Sequence, residues 1–143
     1  MNEPVFIDSN IWLYSFLRQD EEKRKAAKTL IKSCIRKFTF VSTQIINEVC
    51  FNLKKNNIPE SEIKEILTSF YSDYKVIYFS EAIMYNASEL REKYSISFWD
   101  SLVVAAALTR NCKILYSEDM QNGQVFEDQL KIKNPFTDIK RNL

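Results

Sequence analysis

Val5-Phe6-Ile7-Asp8-Ser9-Asn10 is a short apolar run that ends abruptly in three polar residues. Val, Phe and Ile in succession read as a buried strand, and Ile11, Trp12, Leu13, Tyr14, Phe16 and Leu17 suit a helix directly behind it. Asp8 then stands at the carboxyl end of a first parallel strand. Open α/β sheets place their ligands in the crevice beyond such ends. Asp8, Ser9 and Asn10 are equally good helix N-caps, so this stretch alone does not separate a cap from a site.

Working outward, 143 residues suffice for one domain, residues 1–143, that buries most of its apolar surface without staples. A formal charge of +1 exerts no global pull towards nucleic acid or membrane, so either role needs a local patch. The longest apolar run, Leu102 to Leu108, falls far short of the ~20 residues of a membrane span. No signal-peptide core precedes the first strand, and a soluble, cytoplasmic protein is expected. Cys34, Cys50 and Cys112 are odd in number and widely spaced, as suits small buried hydrophobes in a reducing compartment.

The absences narrow the chemistry further. There is no histidine, which removes Ser-His and Cys-His nucleophile pairs and imidazole metal sites. Gly123 is the only glycine, and neither a Walker loop nor a dinucleotide fingerprint can be written without several. Catalysis, if present, must come from carboxylates, lysines, hydroxyls or a hard metal ion held by oxygen.

Strands and helices alternate along the chain. Asp20 to Lys37 is expected as a second helix with Ala27, Leu30, Ile31, Cys34 and Ile35 inward. Its Arg24, Lys28, Lys32 and Arg36 recur at every fourth position as a basic stripe, either a solvated face or a surface that tracks RNA phosphates. Phe38 to Val41 suits a second strand, and Ser42 or Thr43 caps a helix with Ile45, Ile46, Val49, Cys50 and Leu53 inward. Glu48 falls on the border of that face, and Phe51 nearly opposite its centre. A fourth helix runs from Pro59 to about Tyr74, a third strand from Lys75 to Phe79, and a fifth helix follows Ser80. Ser97 to Asn111 is a helix apolar on all sides from Leu102 to Leu108, which marks it as buried. Lys113 to Tyr116 forms a fourth strand and Gln129 to Lys133 a short last one. This order predicts a three-layer α/β sandwich around a parallel sheet of four or five strands.

Two strands end in acids: the first in Asp8, the fourth in Ser117-Glu118-Asp119. Side by side in a parallel sheet, at roughly 5 Å spacing, their carboxylates converge. Asp100 opens the buried helix and also completes an S-x-x-D capping box with Ser97. Carboxylates gathered in a cleft repel one another unless a cation is present. Mg²⁺ or Mn²⁺ suits such a site, taking oxygen ligands and needing neither His nor Cys. Such an ion can generate hydroxide from water and neutralise charge on a phosphoryl group.

Phe6-Ile7-Asp8-Ser9-Asn10, Asn47-Glu48, Phe98-Trp99-Asp100-Ser101 and Ser117-Glu118-Asp119-Met120-Gln121 together resemble the four acidic motifs of the PIN-domain nucleases, in the right order. In length the chain is similar to the VapC-type toxins of toxin–antitoxin pairs. The resemblance extends to Asn134-Pro135-Phe136. It implies a PIN-like fold and a magnesium- or manganese-dependent ribonuclease with catalytic residues Asp8, Glu48, Asp100 and Asp119. Asp8, Asp100 and Asp119 are the implied metal ligands, with Glu48 completing the cluster directly or through water. Ser9, Asn10 and Ser117 are in support, and Glu118 is left without a role. The implied partners are RNA, an antitoxin protein and a second copy of the chain. Two alternatives stand beside the toxin: a PIN-like RNA-processing nuclease, and a catalytically silent module that binds RNA or protein. A haloacid-dehalogenase-type phosphatase is disfavoured, since Asn10 stands where its second acid belongs.

Overall fold

The computed structural model describes residues 3–139. Met1, Asn2 and residues 140–143, which the sequence reading counts within the domain, lie outside the described residues. β1 (Val5–Ile7) leads into α1 (Ser9–Phe16) and α2 (Glu21–Ser33). β2 (Thr39–Ser42) leads into α3 (Thr43–Lys55) and α4 (Glu60–Asp73). β3 (Lys75–Ile77) is followed by α5 (Glu81–Lys93) and α6 (Phe98–Thr109). β4 (Ile114–Tyr116), β5 (Val125–Phe126) and β6 (Leu130–Lys133) complete the sheet.

The strands lie in the order β3-β2-β1-β4-β6-β5. Five are parallel and β5 runs antiparallel to β6 at the edge. The expected parallel sheet is present, with one additional strand. That strand is two residues long and carries no readable period.

The strand order dictates the layers. From β1 to β2 to β3 the chain steps one way across the sheet, and from β3 to β4 it steps back past β1. Right-handed crossovers therefore put α1 to α4 on one face and α5 and α6 on the other. The contacts agree: α1 packs on α2 and α3, α3 on α4, and α5 on α6. Leu102 to Ala107 of α6 are all buried, as an all-apolar helix must be. On the opposite face Trp12 packs edge-on against Phe70 and Tyr74, with ring centroids 5.0 Å away in each case. Its indole N–H donates to the Ile7 carbonyl at 3.1 Å, pinning α1 to the strand end that precedes Asp8.

The second helix is shorter than its pattern predicts. α2 stops at Ser33, and Cys34, with φ −80° and ψ 137°, is already extended. Arg36 to Phe38 form a 3-10 turn, after which β2 begins at Thr39. No glycine or proline marks this break. The chain must instead swing back to lay Thr39 beside Val5. Arg36 thereby leaves the basic stripe and pairs with Asp73 of α4 at 3.4 Å. Ile35, expected inward, is 46 % exposed.

Candidate active site

The turning point in strand order lies between β1 and β4, where open α/β sheets form their ligand crevice. The register pairs Ile7 with Tyr116, so Asp8 and Ser117 follow side by side. The Asp8 N–H donates to the Tyr116 carbonyl at 3.0 Å. Asp8 does cap α1, its Oδ1 accepting the Ser9 N–H at 2.8 Å. Its Oδ2 meanwhile accepts the Ser117 hydroxyl at 2.8 Å. Cap and cleft are therefore two oxygens of one carboxylate.

Asn10 ties the two strand ends together. Its Oδ1 accepts the Glu118 N–H at 3.1 Å, which fixes the orientation of the amide. Its Nδ2 then donates to Asp119 Oδ2 at 3.1 Å and to Asp8 Oδ2 at 3.4 Å. The two carboxylates converge on a single donor. From α3, Glu48 reaches the same place: its Oε2 accepts the Ser9 hydroxyl and its Oε1 the Gln44 amide, each at 2.8 Å. A side effect of aiming that amide at Glu48 is that Gln44 Oε1 is buried without a partner. Asp100 joins from the first turn of α6, where its N–H donates to Ser97 Oγ at 3.0 Å.

All four acids line one cleft of about 880 Å³. Asp8, Ser9, Glu48 and Asp119 form one side. Phe79, Met84, Phe98 and Trp99 give the same cleft an apolar stretch of wall that includes the chain neighbours of Asp100. Among the described residues no lysine or arginine pairs with any of the four.

Burial raises the Asp8 carboxyl to about 6. The hydrogen bonds from Ser117 and the Ser9 N–H oppose that rise, while repulsion from Glu48 and Asp119 adds to it. Asp100 is also raised, first by burial and then by Asp119 and Glu48, with Ser97 opposing. This is the response expected first of carboxylates taken out of water and second of their mutual repulsion. Among the described residues no three acidic, imidazole or thiol side chains close into a ready-made ligand cage, so Asp8, Asp100 and Asp119 do not form one. Mg²⁺ has little need of a cage, because it commonly keeps several waters and takes one or two carboxylates. An all-oxygen set with Asp8 and Asp119 converging on one point fits such an ion.

Residues 5–123 match the family model of the PIN domain. The chain belongs to the PIN-domain family. No curated protein matches it, but solved structures share its fold. A toxin–antitoxin complex from Klebsiella pneumoniae is 18 % identical with a TM-score of 0.72, covering 92 % of this chain and 97 % of that one. FitAcB from Neisseria gonorrhoeae is 16 % identical with a TM-score of 0.70, covering 93 % and 99 %. VapC20 of Mycobacterium tuberculosis, a sarcin-ricin-loop-cleaving toxin, is 16 % identical with a TM-score of 0.66, covering 80 % and 89 %.

Within this PIN domain the residues named from sequence fare differently. Asp8, Glu48, Asp100 and Asp119 meet in the cleft, with Ser9, Asn10 and Ser117 bonded among them. Glu118 turns away, accepting the Tyr14 hydroxyl at 2.6 Å and pairing with Lys23. Arg24, Lys28 and Lys32 line a different groove, with Trp12, Phe16 and Tyr74, that has no wall residue in common with the acid cleft. The stripe is therefore not part of the acidic site, and Arg24 is occupied at 3.6 Å by Glu21. Sequence reasoning missed Gln44, although its position one helical turn before Glu48 makes their contact readable. It also missed the aromatic wall, whose signal was a pair of large aromatics directly before Asp100. The cysteines are free, and burial pushes the Cys112 thiol up to about 12.

Proposed function

We propose that this PIN domain is a Mg²⁺- or Mn²⁺-dependent ribonuclease that hydrolyses RNA phosphodiesters, and that it is the toxin of a toxin–antitoxin pair acting in the cytoplasm. The observation that carries the reading is the convergence of Asp8 and Asp119 on Asn10, with no lysine or arginine among the described residues paired to either. When bound, the metal ion supplies a nucleophile at neutral pH and positive charge against the phosphoryl oxygens. Asp8 and Asp119 would hold it, and Glu48 and Asp100 would set the field of the cleft and orient water. The Ser9 and Ser117 hydroxyls keep the Glu48 and Asp8 carboxylates aimed. Four nearby acids without metal would repel an RNA phosphate, so metal and substrate bind in support of each other.

The same cluster gives a protein inhibitor its handle. An arginine fork bonds carboxylates bidentately and stays charged, so an antitoxin that inserts one silences the site. Of the solved neighbours, one is named as a toxin–antitoxin complex and one as a toxin, which supports this partner. Phe51 on α3, 68 % exposed, is a candidate contact for a homodimer or for that antitoxin. The test is incubation of labelled total RNA with the parent and with Asp8→Asn, with and without Mg²⁺. Metal-dependent cleavage confined to the parent is expected. Equal cleavage by both proteins would place the chemistry elsewhere. Expression of the parent alone should slow bacterial growth, and Asp8→Asn should relieve it. Normal growth despite folded, cleaving protein would favour an RNA-processing nuclease.

A further inference from the structure

The apolar wall of the acid cleft is built unlike an ordinary surface. Trp99 is 64 % exposed and Phe98 46 %, at the first two positions of α6. Helix geometry turns Leu102 and the following residues into the core but leaves these two rings outside it. Their centroids are 5.1 Å apart with planes at 88°, so one ring meets the other edge-on in an L-shaped notch. The Arg91 guanidinium lies 4.7 Å from the Phe98 centroid and is tied to α6 by a 2.7 Å bond to the Ser101 hydroxyl. Phe98 is thus braced by a cation–π contact, while much of the indole surface stays open. Met84, 44 % exposed, extends the apolar wall.

Scattered exposed apolar residues need no explanation, but a contiguous group in a concave surface does. We propose that Trp99, backed by Phe98, is the stacking platform for an unpaired nucleobase next to the scissile phosphate. The proposal rests on the nuclease reading above and names how that site takes its substrate. Two features favour a base over an apolar peptide side chain. The notch offers a flat ring face with a second ring at right angles, which matches a planar π-system. Trp99 also adjoins Asp100 in the chain and lines the same cleft as the other acids, so a base on the indole and a phosphate at the acids belong to one short stretch of nucleic acid. The platform is uncharged, and single-stranded RNA is commonly gripped in this way, on aromatic faces that accept any base.

The test uses the full-length protein and a fluorescein-labelled 12-nucleotide unstructured RNA. Binding is measured in Ca²⁺ and cleavage in Mg²⁺, for the parent, Trp99→Ala and Trp99→Phe. Trp99→Ala should bind roughly 10-fold more weakly, and Trp99→Phe should recover most of the loss. A set of the same RNAs carrying one abasic ribose each should show a position whose loss weakens the parent but not Trp99→Ala. Unaltered RNA affinity and cleavage in a folded Trp99→Ala protein would overturn the proposal. If the same variant then loses self-association or antitoxin binding, the wall is a protein contact. Failure of the nuclease reading itself looks different: no metal-dependent cleavage by the parent.

Discussion

Glu118 and Asp119 are adjacent in the chain, yet their carboxylates stand in opposite electrostatic settings. Glu118 is enclosed by the Tyr14 hydroxyl and the Lys23 ammonium, and that ammonium also sits 5.0 Å from the Tyr14 ring and 5.5 Å from that of Phe136. Tyr14 and Phe136 meet edge-on at 5.1 Å. Both Glu118 oxygens and the Lys23 charge in that cluster have a partner, and it fastens the end of β4 to α1, α2 and the segment after β6. Asp119 faces Asn10 and the acid cleft, where no lysine or arginine among the described residues answers it. A satisfied acid holds structure together, whereas a set of unsatisfied acids stores a demand for positive charge. The contrast between them is a better guide to function than the count of acids.

The contrast breaks most visibly through Asp8→Asn. This change keeps the shape that caps α1 but removes the charge, and RNA cleavage in Mg²⁺ should fall by more than about 100-fold. Full activity in a gel assay would sink the assignment. The proton competes for the same carboxylate. Because Asp8 titrates near 6 without metal, Mg²⁺ affinity should drop about tenfold per pH unit below that value and level off above it. A calorimetric titration from pH 5 to pH 8 reads this directly, and a flat profile would remove Asp8 from the metal site.

Stability should move in the opposite direction to activity. A carboxyl whose folded pKa lies above its unfolded value weakens the fold once it ionises. The penalty is absent below about 3.8, grows as the pH rises, and is complete above about 6. At full ionisation it amounts to about 3 kcal/mol, a net figure in which the hydrogen bonds from Ser117 and the Ser9 N–H already offset part of the cost of burial. In metal-free buffer at pH 7.5, Asp8→Asn should therefore melt several degrees above the parent, with the gap closing towards pH 4. A lower melting point at pH 7.5 would mean that the cap outweighs the buried charge.

Glu118→Gln should do the reverse. It unpairs Lys23 and should cost about 1–2 kcal/mol of stability, while cleavage stays within a few-fold of the parent. A large loss of cleavage without unfolding would bring Glu118 into the site. The smallest effect is expected from replacing Lys28 and Lys32 by Gln. Each phosphate contact that is lost should lower the slope of RNA affinity against salt by roughly one, and an unchanged slope would leave these residues as a solvated face.

Much of this was legible in the chain because the signals were local. Val5 to Ile7 and Leu102 to Leu108 declare a buried strand and a buried helix by composition. Ser42, Ser80 and Ser97 announce three helix starts, and each side chain accepts the N–H three residues on, at 3.3, 3.3 and 3.0 Å. What stayed hidden was non-local. The break after Ser33 obeys the pairing of Thr39 with Val5, and helical periodicity carries no trace of it. Glu48 lies on the border of the apolar face of α3, and only the neighbouring α1 brings Ser9 against it. The partners of Glu118 lie 104 and 95 residues away at Tyr14 and Lys23, a distance no spacing rule spans.

The joining of Asp8 to Ser117 across 109 residues also bears on the life of the protein before it is finished. As the chain emerges from the ribosome, β1 and α1 come first and β4 follows only after α6. Until β4 docks beside β1, Asp119 is absent and Asp8 has neither Ser117 nor the strand that pairs with β1 on the side away from β2. A nascent chain arrested anywhere before that point carries only part of its acids and no assembled cleft. On the proposed toxin reading, strand order alone shields the host during synthesis, and the time available for an inhibitor to arrive begins when the fourth strand folds.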